Sequence, residues 1–113
     1  IKVCVSPDGQ EETSIFYDPA EASLKVDTQK SGPEGTPDAV EAAPFELQDG
    51  EPLTLRVFVD RSVVEVFANG RQAVMRRIYP SRRDSVGVRL FSDGDDAQVN
   101  SLEAWNITPS NPY

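Results

Sequence analysis

Two carboxylates, Asp60 and Glu65, are the tempting pair in this sequence for acid–base work on a glycosidic bond. That chemistry needs two carboxyl groups roughly 5–9 Å apart across a sugar held in a pocket. Each residue also has a plain structural use. Asp60 falls at a chain reversal, where its side chain can accept from nearby backbone N–H groups. Glu65 lies in a strand with Arg56 expected opposite. The structural use carries more weight for both, so no catalytic residue is assigned. Asp93, Asp95 and Asp96, around Gly94, offer the oxygen ligands that Ca²⁺ takes. They lack EF-hand spacing and read as a turn, so no metal and no other cofactor is assigned. Arg76, Arg77, Arg82 and Arg83 form a basic cluster. A solvated strand end is favoured for it over contact with acidic groups of a neighbouring domain. Trp105, Tyr79, Phe67 and Phe91 are the residue types on which sugars stack. A small core needs such bulk as well, roughly 150–250 Å² per ring, so core or interface packing is the stronger reading. Trp105 is singled out as an interface anchor. Asn106-Ile107-Thr108 is a glycosylation sequon, weakened by Pro109 immediately after it.

These residues must be positioned by strands. Residues 53–80, LTLRVFVDRSVVEVFANGRQAVMRRIYP, alternate apolar and polar side chains with the period of two that marks a half-buried strand. The segment reads as strands over 53–59, 62–68 and 71–79. Asp60-Arg61 makes the first reversal. Asn69-Gly70, which tolerates positive φ at both positions, makes the second. With a two-residue loop at Asp60-Arg61, Val57 faces Val64 and Arg56 faces Glu65. One face then carries Leu55, Val57, Val59, Val64 and Val66 toward a core. The other carries an expected Arg56–Glu65 ion pair among Phe58, Val63 and Phe67. That second face is too apolar to be left in solvent.

Further strands are expected over 1–5, 13–17, 23–27, 45–47, 85–91 and 97–107, separated by turn signals such as Ser6-Pro7-Asp8-Gly9 and Asp49-Gly50. Cys4 is expected to be a small buried apolar residue. Residues 29–43 lack an apolar period and read as a long loop, and 109–113 as a terminal tail. No segment reads as a helix. Short strands with frequent turns indicate an all-β fold, an antiparallel β-sandwich forming a single module over residues 1–113.

The chain has 113 residues, 38% of them hydrophobic, enough for one core. With 19 acidic against 11 basic residues and no His, the formal net charge is −8. This excludes nucleic acid and anionic membrane surfaces as expected partners. The one cysteine excludes an internal disulfide. No targeting or transmembrane segment is present, and the chain opens within a strand without an initiator Met, so it reads as a fragment or processed subunit. Its compartment is left open between cytoplasmic and secreted.

Four segments together carry a resemblance: VDRSVVEVFANG at 59–70, RIYP at 77–80, DSVGV at 84–88 and NSLEAW at 100–105. SPDGQEET at 6–13 fits the same pattern upstream. In order and spacing they resemble the C-terminal β-sandwich of glycoside hydrolase family 32, the invertases, levanases and inulinases. The resemblance implies a concanavalin- or galectin-like sandwich beside an N-terminal five-bladed propeller that holds the active site. It also implies catalytic carboxylates from Asn-Asp-Pro-Asn-Gly-type, Arg-Asp-Pro and Glu-Cys segments. None occurs in this chain. Ser85 follows Arg83-Asp84 where Pro is required, Val3 precedes Cys4 where Glu is required, and Asn111-Pro112 lacks the preceding pattern. The family's sandwich also begins upstream of the strand holding Ile1, so the resemblance implies that first strands are missing and that the sheet containing 1–5 has an open edge.

The resemblance therefore implies a non-catalytic domain whose partner is the propeller of the parent enzyme, with homo-oligomer formation as a further role. The rival reading is an autonomous lectin-like module that binds fructan itself. A self-associating structural fragment is a third. A docking domain should show a broad apolar surface, and a sugar binder a groove with an aromatic floor and converging polar groups.

Overall fold

The structure, a computed structural model, describes residues 1–111; Pro112 and Tyr113, the end of the expected tail, lie outside the described residues. Eight antiparallel strands form two sheets, and among the described residues there is no helix. The strands are β1 (Lys2–Val5), β2 (Thr13–Asp18), β3 (Ser23–Asp27), β4 (Val40–Pro44), β5 (Leu55–Asp60), β6 (Val63–Ala68), β7 (Gln72–Arg77) and β8 (Gly87–Arg89). One sheet runs β4-β3-β2-β1-β8 and the other β5-β6-β7. Inward residues of alternate register meet between them. Ile15, Leu24 and Val26 from the larger sheet pack with Val64, Val66 and Val74 from the smaller, closed by Phe45 and Ile78. This is the all-β sandwich that the strand periods predict.

Among the described residues Phe45 is the one aromatic ring buried in this core. Tyr17 packs edge-on against it at 5.8 Å between ring centroids. The β-branched and aliphatic side chains fill the space between two small sheets, and Phe67, Phe91 and Trp105 stay outside that core.

Three expectations are corrected. The loop after β3 ends at residue 39, because β4 pairs with β3 along its whole length, from Ser23↔Pro44 to Asp27↔Val40. The strand expected at 45–47 is absent, its place taken by β4. β4 is a mostly exposed edge of small side chains, VEAAP, with no apolar alternation to reveal it. The sheet that holds 1–5 has its edges at β4 and β8, with β1 inside it between β2 and β8. Finally, 97–107 forms no strand, and only Gly87–Arg89 of 85–91 pairs.

Cys4 is half-buried rather than buried and holds φ at +51°. Between Lys2↔Arg89 and Val5↔Gly87 the β1 strand carries one residue more than β8. Cys4 absorbs it as a β-bulge, a device that bends a strand and sharpens its twist. After β8 the Phe91 ring still packs edge-on against Phe16 at 6.2 Å between centroids, and no further strand forms among the described residues. Every residue from 88 to 111 is exposed. The Cα radius of gyration, 14.5 Å, exceeds the roughly 13 Å expected of a compact chain of this length for that reason.

Candidate functional site

The outer face of β5 and β6 is where the sequence-predicted site residues gather, and its register decides what they can do. The reversal falls on Arg61-Ser62, one residue later than expected. Asp60 pairs with Val63, Phe58 with Glu65, and Arg56 with Phe67. Arg61 supplies the left-handed φ of +51° that a two-residue hairpin loop requires. A clamp at the far end selects this pairing. Thr54 N–H donates to Asn69 Oδ1 at 2.7 Å, and Asn69 N–H donates to the Thr54 carbonyl at 2.9 Å. Position 54 is thereby held opposite 69. The change is an even number of residues, so each side chain keeps its face. Leu55, Val57, Val64 and Val66 still point inward, as expected, whereas Val59, expected with them, is 42% exposed.

The predicted Arg56–Glu65 ion pair does not survive the change. Both side chains lie on the outer face but are out of step, and no ion pair joins them among the described residues. The Arg56 guanidinium instead lies 5.8 Å from the Phe58 ring centroid. Double substitution of Arg56 and Glu65 by Ala is therefore expected to be additive within about 0.5 kcal/mol in urea denaturation. A coupling above about 1 kcal/mol would restore the pair.

Asp60 and Glu65 also share this face, outside the lining of the groove described below. Trp105 lies far from any core position, 76% exposed on the extended 88–111 segment. Among the described residues no three His, Cys, Asp or Glu side chains converge as a metal site would need, and the aspartates at 93–96 are exposed.

What the face does carry is a groove of about 720 Å³, bounded by Glu51, Pro52, Thr54, Arg56, Phe58, Phe67 and the Asn69-Gly70 turn. Its floor is the Phe58–Phe67 pair, edge to face at 5.9 Å between centroids and 84° between planes. Its rim is fixed by hydrogen bonds. The Asn69 amide donates to Glu51 Oε1 at 2.8 Å and to the Pro52 carbonyl at 2.9 Å. Arg71 donates to both Glu51 oxygens, reaching Oε2 at 2.8 Å, while its guanidinium lies 4.8 Å from the Phe45 ring centroid. Arg71 first, then the Gln48 N–H and the Asn69 amide, pull the Glu51 carboxyl down to a pKa of about 2. It is an anion at any physiological pH. Sequence reading missed Glu51 and Arg71. Their one local signal is the Asn-Gly turn, which brings two segments 20 residues apart to the same corner.

A second polar cluster closes the seam between the sheets. Glu11, 5% exposed, accepts from Ser81 N–H and Arg82 N–H at 3.1 and 3.2 Å and from Ser81 Oγ at 2.7 Å. Burial pushes its carboxyl up, but these hydrogen bonds outweigh it and the net shift is downward. The Ser85 hydroxyl also favours the anion, although it lacks hydrogen-bond geometry to it. Above this, Arg82 bridges Asp8 at 2.7 Å and Asp84 at 3.0 Å. Arg76 reaches Glu41 on β4 at 2.9 Å. Two of the four arginines of the basic cluster are thus spent on this chain's own carboxylates, contrary to the solvated strand end expected of them.

Fold and face together define an all-β sandwich module with an aromatic groove on one outer face. The chain belongs to the family described as Glycosyl hydrolases family 32 C terminal, which it matches over residues 1–106. It is 37% identical over 108 residues to a levanase of Bacillus subtilis (strain 168), covering 86% of this chain and 16% of the levanase. It is 32% identical over 111 residues to an acid beta-fructofuranosidase of Vicia faba, covering 93% of this chain and 16% of that protein. A cell wall isozyme of beta-fructofuranosidase from Zea mays is 33% identical over 125 residues, covering 93% of this chain and 20% of its own length. The chain thus spans a fifth or less of these relatives.

Proposed function

We propose that this chain is the non-catalytic C-terminal sandwich of a sucrose- or fructan-hydrolysing enzyme, where it braces the propeller domain that carries the active site. The observation that supports this most is the apolar surface on 86–107. Val86, Val88, Leu90, Val99, Leu102, Trp105 and Ile107 are all exposed, Val86 at 81%. So many large apolar side chains in one stretch mark an interaction surface. The relatives, by their names a levanase and β-fructofuranosidases, supply the parent activity.

Mixing this chain with the separately produced propeller part of its parent tests the reading. A complex is expected in size-exclusion chromatography, with a rise in the melting temperature of the fructosidase activity. Trp105→Asp is expected to abolish the complex while leaving the sandwich's own stability within about 0.5 kcal/mol, because Trp105 is 76% exposed. A propeller that is fully active and equally stable without this chain would overturn the proposal. Self-association through the exposed β8 edge, seen as a concentration-dependent dimer that excludes the propeller, would overturn it in favour of an oligomerisation module.

A further inference from the structure

The groove on β5 and β6 shares no residue with the apolar surface on 86–107, and bracing a propeller does not account for it. We infer that it is a binding site for a neutral oligosaccharide, one that grips a fructan chain away from any catalytic centre.

Three features select that ligand. The first is the floor. Phe58 and Phe67 offer apolar ring surface against which the C–H face of a sugar can pack. The second is an uncommitted donor. Arg56 makes no hydrogen bond and no ion pair among the described residues, although its planar fork of N–H groups stands over the Phe58 ring at the groove wall. Vicinal hydroxyls match such a fork as a carboxylate does, without adding charge. The third is electrostatic balance. The Glu51 carboxylate is already neutralised by Arg71, and Arg56 shares the outer face with Asp60 and Glu65, so the face holds no excess of positive charge for an anionic ligand. A polyhydroxylated neutral ligand needs no charge of its own and can accept from Arg56 and the Thr54 hydroxyl.

The volume, about 720 Å³, falls within the range of small-molecule sites. The rim is set before any ligand arrives. Asn69 and Arg71 hold Glu51 by hydrogen bonds that join 51–54 to the β6–β7 turn, so little ordering is left to oppose binding. The choice of fructan rests on the proposed parent activity, while the site itself rests on the groove.

Titration of the ¹⁵N-labelled 113-residue chain with a short inulin-type fructo-oligosaccharide tests the inference by amide chemical shifts. Shifts are expected at 51–58 and 67–71, with the residues of 86–107 unmoved. Arg56→Ala is expected to weaken binding about tenfold or more, since a hydrogen bond from a charged donor is lost. Arg56→Lys, which keeps the charge and loses the fork, should weaken it nearly as much. Phe58→Leu keeps the apolar bulk and removes the ring face. It guards against a Phe58→Ala variant that does not fold, and should also weaken binding severalfold. Absence of shifts at millimolar sugar, shifts confined to other residues, or binding unchanged in Arg56→Ala and Phe58→Leu would overturn the site. Equal binding of a malto-oligosaccharide of the same length would overturn its assignment to fructan. If the groove amides move only when the propeller part of the parent is added, the groove is a protein interface and the inference fails. Failure here leaves the Trp105-dependent complex untouched, so the two proposals stand or fall separately.

Discussion

Glu11→Ala is expected to destabilise the sandwich by about 3 kcal/mol. The Glu11 carboxylate joins the turn after β1 to residues 81 and 82, some 70 positions on, at a point where the strands make no ladder. Removing it takes the acceptor from Ser81 N–H, Arg82 N–H and the Ser81 hydroxyl. Ser81 is exposed and Arg82 half-buried, so water takes up part of the loss, and the rest comes from the hydrogen bonds to a buried charged acceptor, each about 1.5–3 kcal/mol. Glu11→Gln keeps the shape, but one of its two acceptor oxygens becomes an NH₂ facing N–H donors, so it should recover only part of the loss. The pH dependence separates charge from shape. Because the folded state holds the Glu11 carboxyl below its ordinary value, the unfolded chain takes up the proton first as the pH falls. The contribution of the carboxylate is complete above the unfolded pKa, about 4.3. It is lost as the pH drops through the lowered folded value. Urea denaturation at pH 7, 5 and 3 should therefore show the gap between the native chain and Glu11→Gln shrinking on acidification. A gap that stays constant would mean that Glu11 contributes packing and not charge.

The residues show why some of this was legible in the sequence. Strands whose inward side chains face a partner sheet announce themselves by alternation, which is why β1, β2, β3, β5, β6 and β7 were read within two residues of their ends. Asn69-Gly70 was read correctly as well, and both residues take positive φ, 49° and 66°. Alternation, however, reports that a face wants cover, not that this chain supplies it. Val86, Val88 and Leu90 alternate and are exposed, and Val99, Leu102 and Trp105, three residues apart, are exposed as well. β4 failed in the opposite sense: an edge strand of Ala and Glu needs no apolar period to pair. The Arg56–Glu65 pair failed because a two-residue change of register is invisible to periodicity. It was settled by the side chain of Asn69, which grips Thr54 across the hairpin. Glu11 had no local signal at all. In a Gly-containing turn an acidic residue reads as solvated, and only the fold brings Ser81 to it. The groove was half visible: Phe67 was named as a stacking candidate, but its partner Phe58 and the Glu51–Asn69–Arg71 rim depend on contacts between distant segments.

Gly32→Ala carries the second large expected effect, a loss of about 1–3 kcal/mol. Gly32 lies in the segment read as a structureless loop, yet that segment is anchored. Thr28 and Ser31 are buried, and Thr28 exchanges hydrogen bonds with Ala39 through both its backbone N–H and its hydroxyl. Its neighbour Lys30 accepts from Glu12 N–H at 2.8 Å. These bonds press Gly32 against the end of the smaller sheet. A Cβ there would stand 2.5 Å from the Tyr79 carbonyl oxygen and 2.9 Å from the Tyr79 Cβ. A backbone carbonyl cannot swing aside as a side chain can, so the methyl group must lever the loop away from Tyr79, next to the buried Ile78. Gly35, three residues on, provides the contrast. It has open space around its Cα but a φ of +86°. Gly35→Ala should thus cost only the backbone strain of a left-handed alanine, about 1 kcal/mol. Thermal denaturation of the two variants distinguishes a docked loop from a free one. If the segment were free, Gly32→Ala would be neutral or slightly stabilising, because alanine restricts the unfolded chain. A melting temperature lowered more by Gly32→Ala than by Gly35→Ala identifies the loop as a strut that ties β3 and β4 to the end of β7.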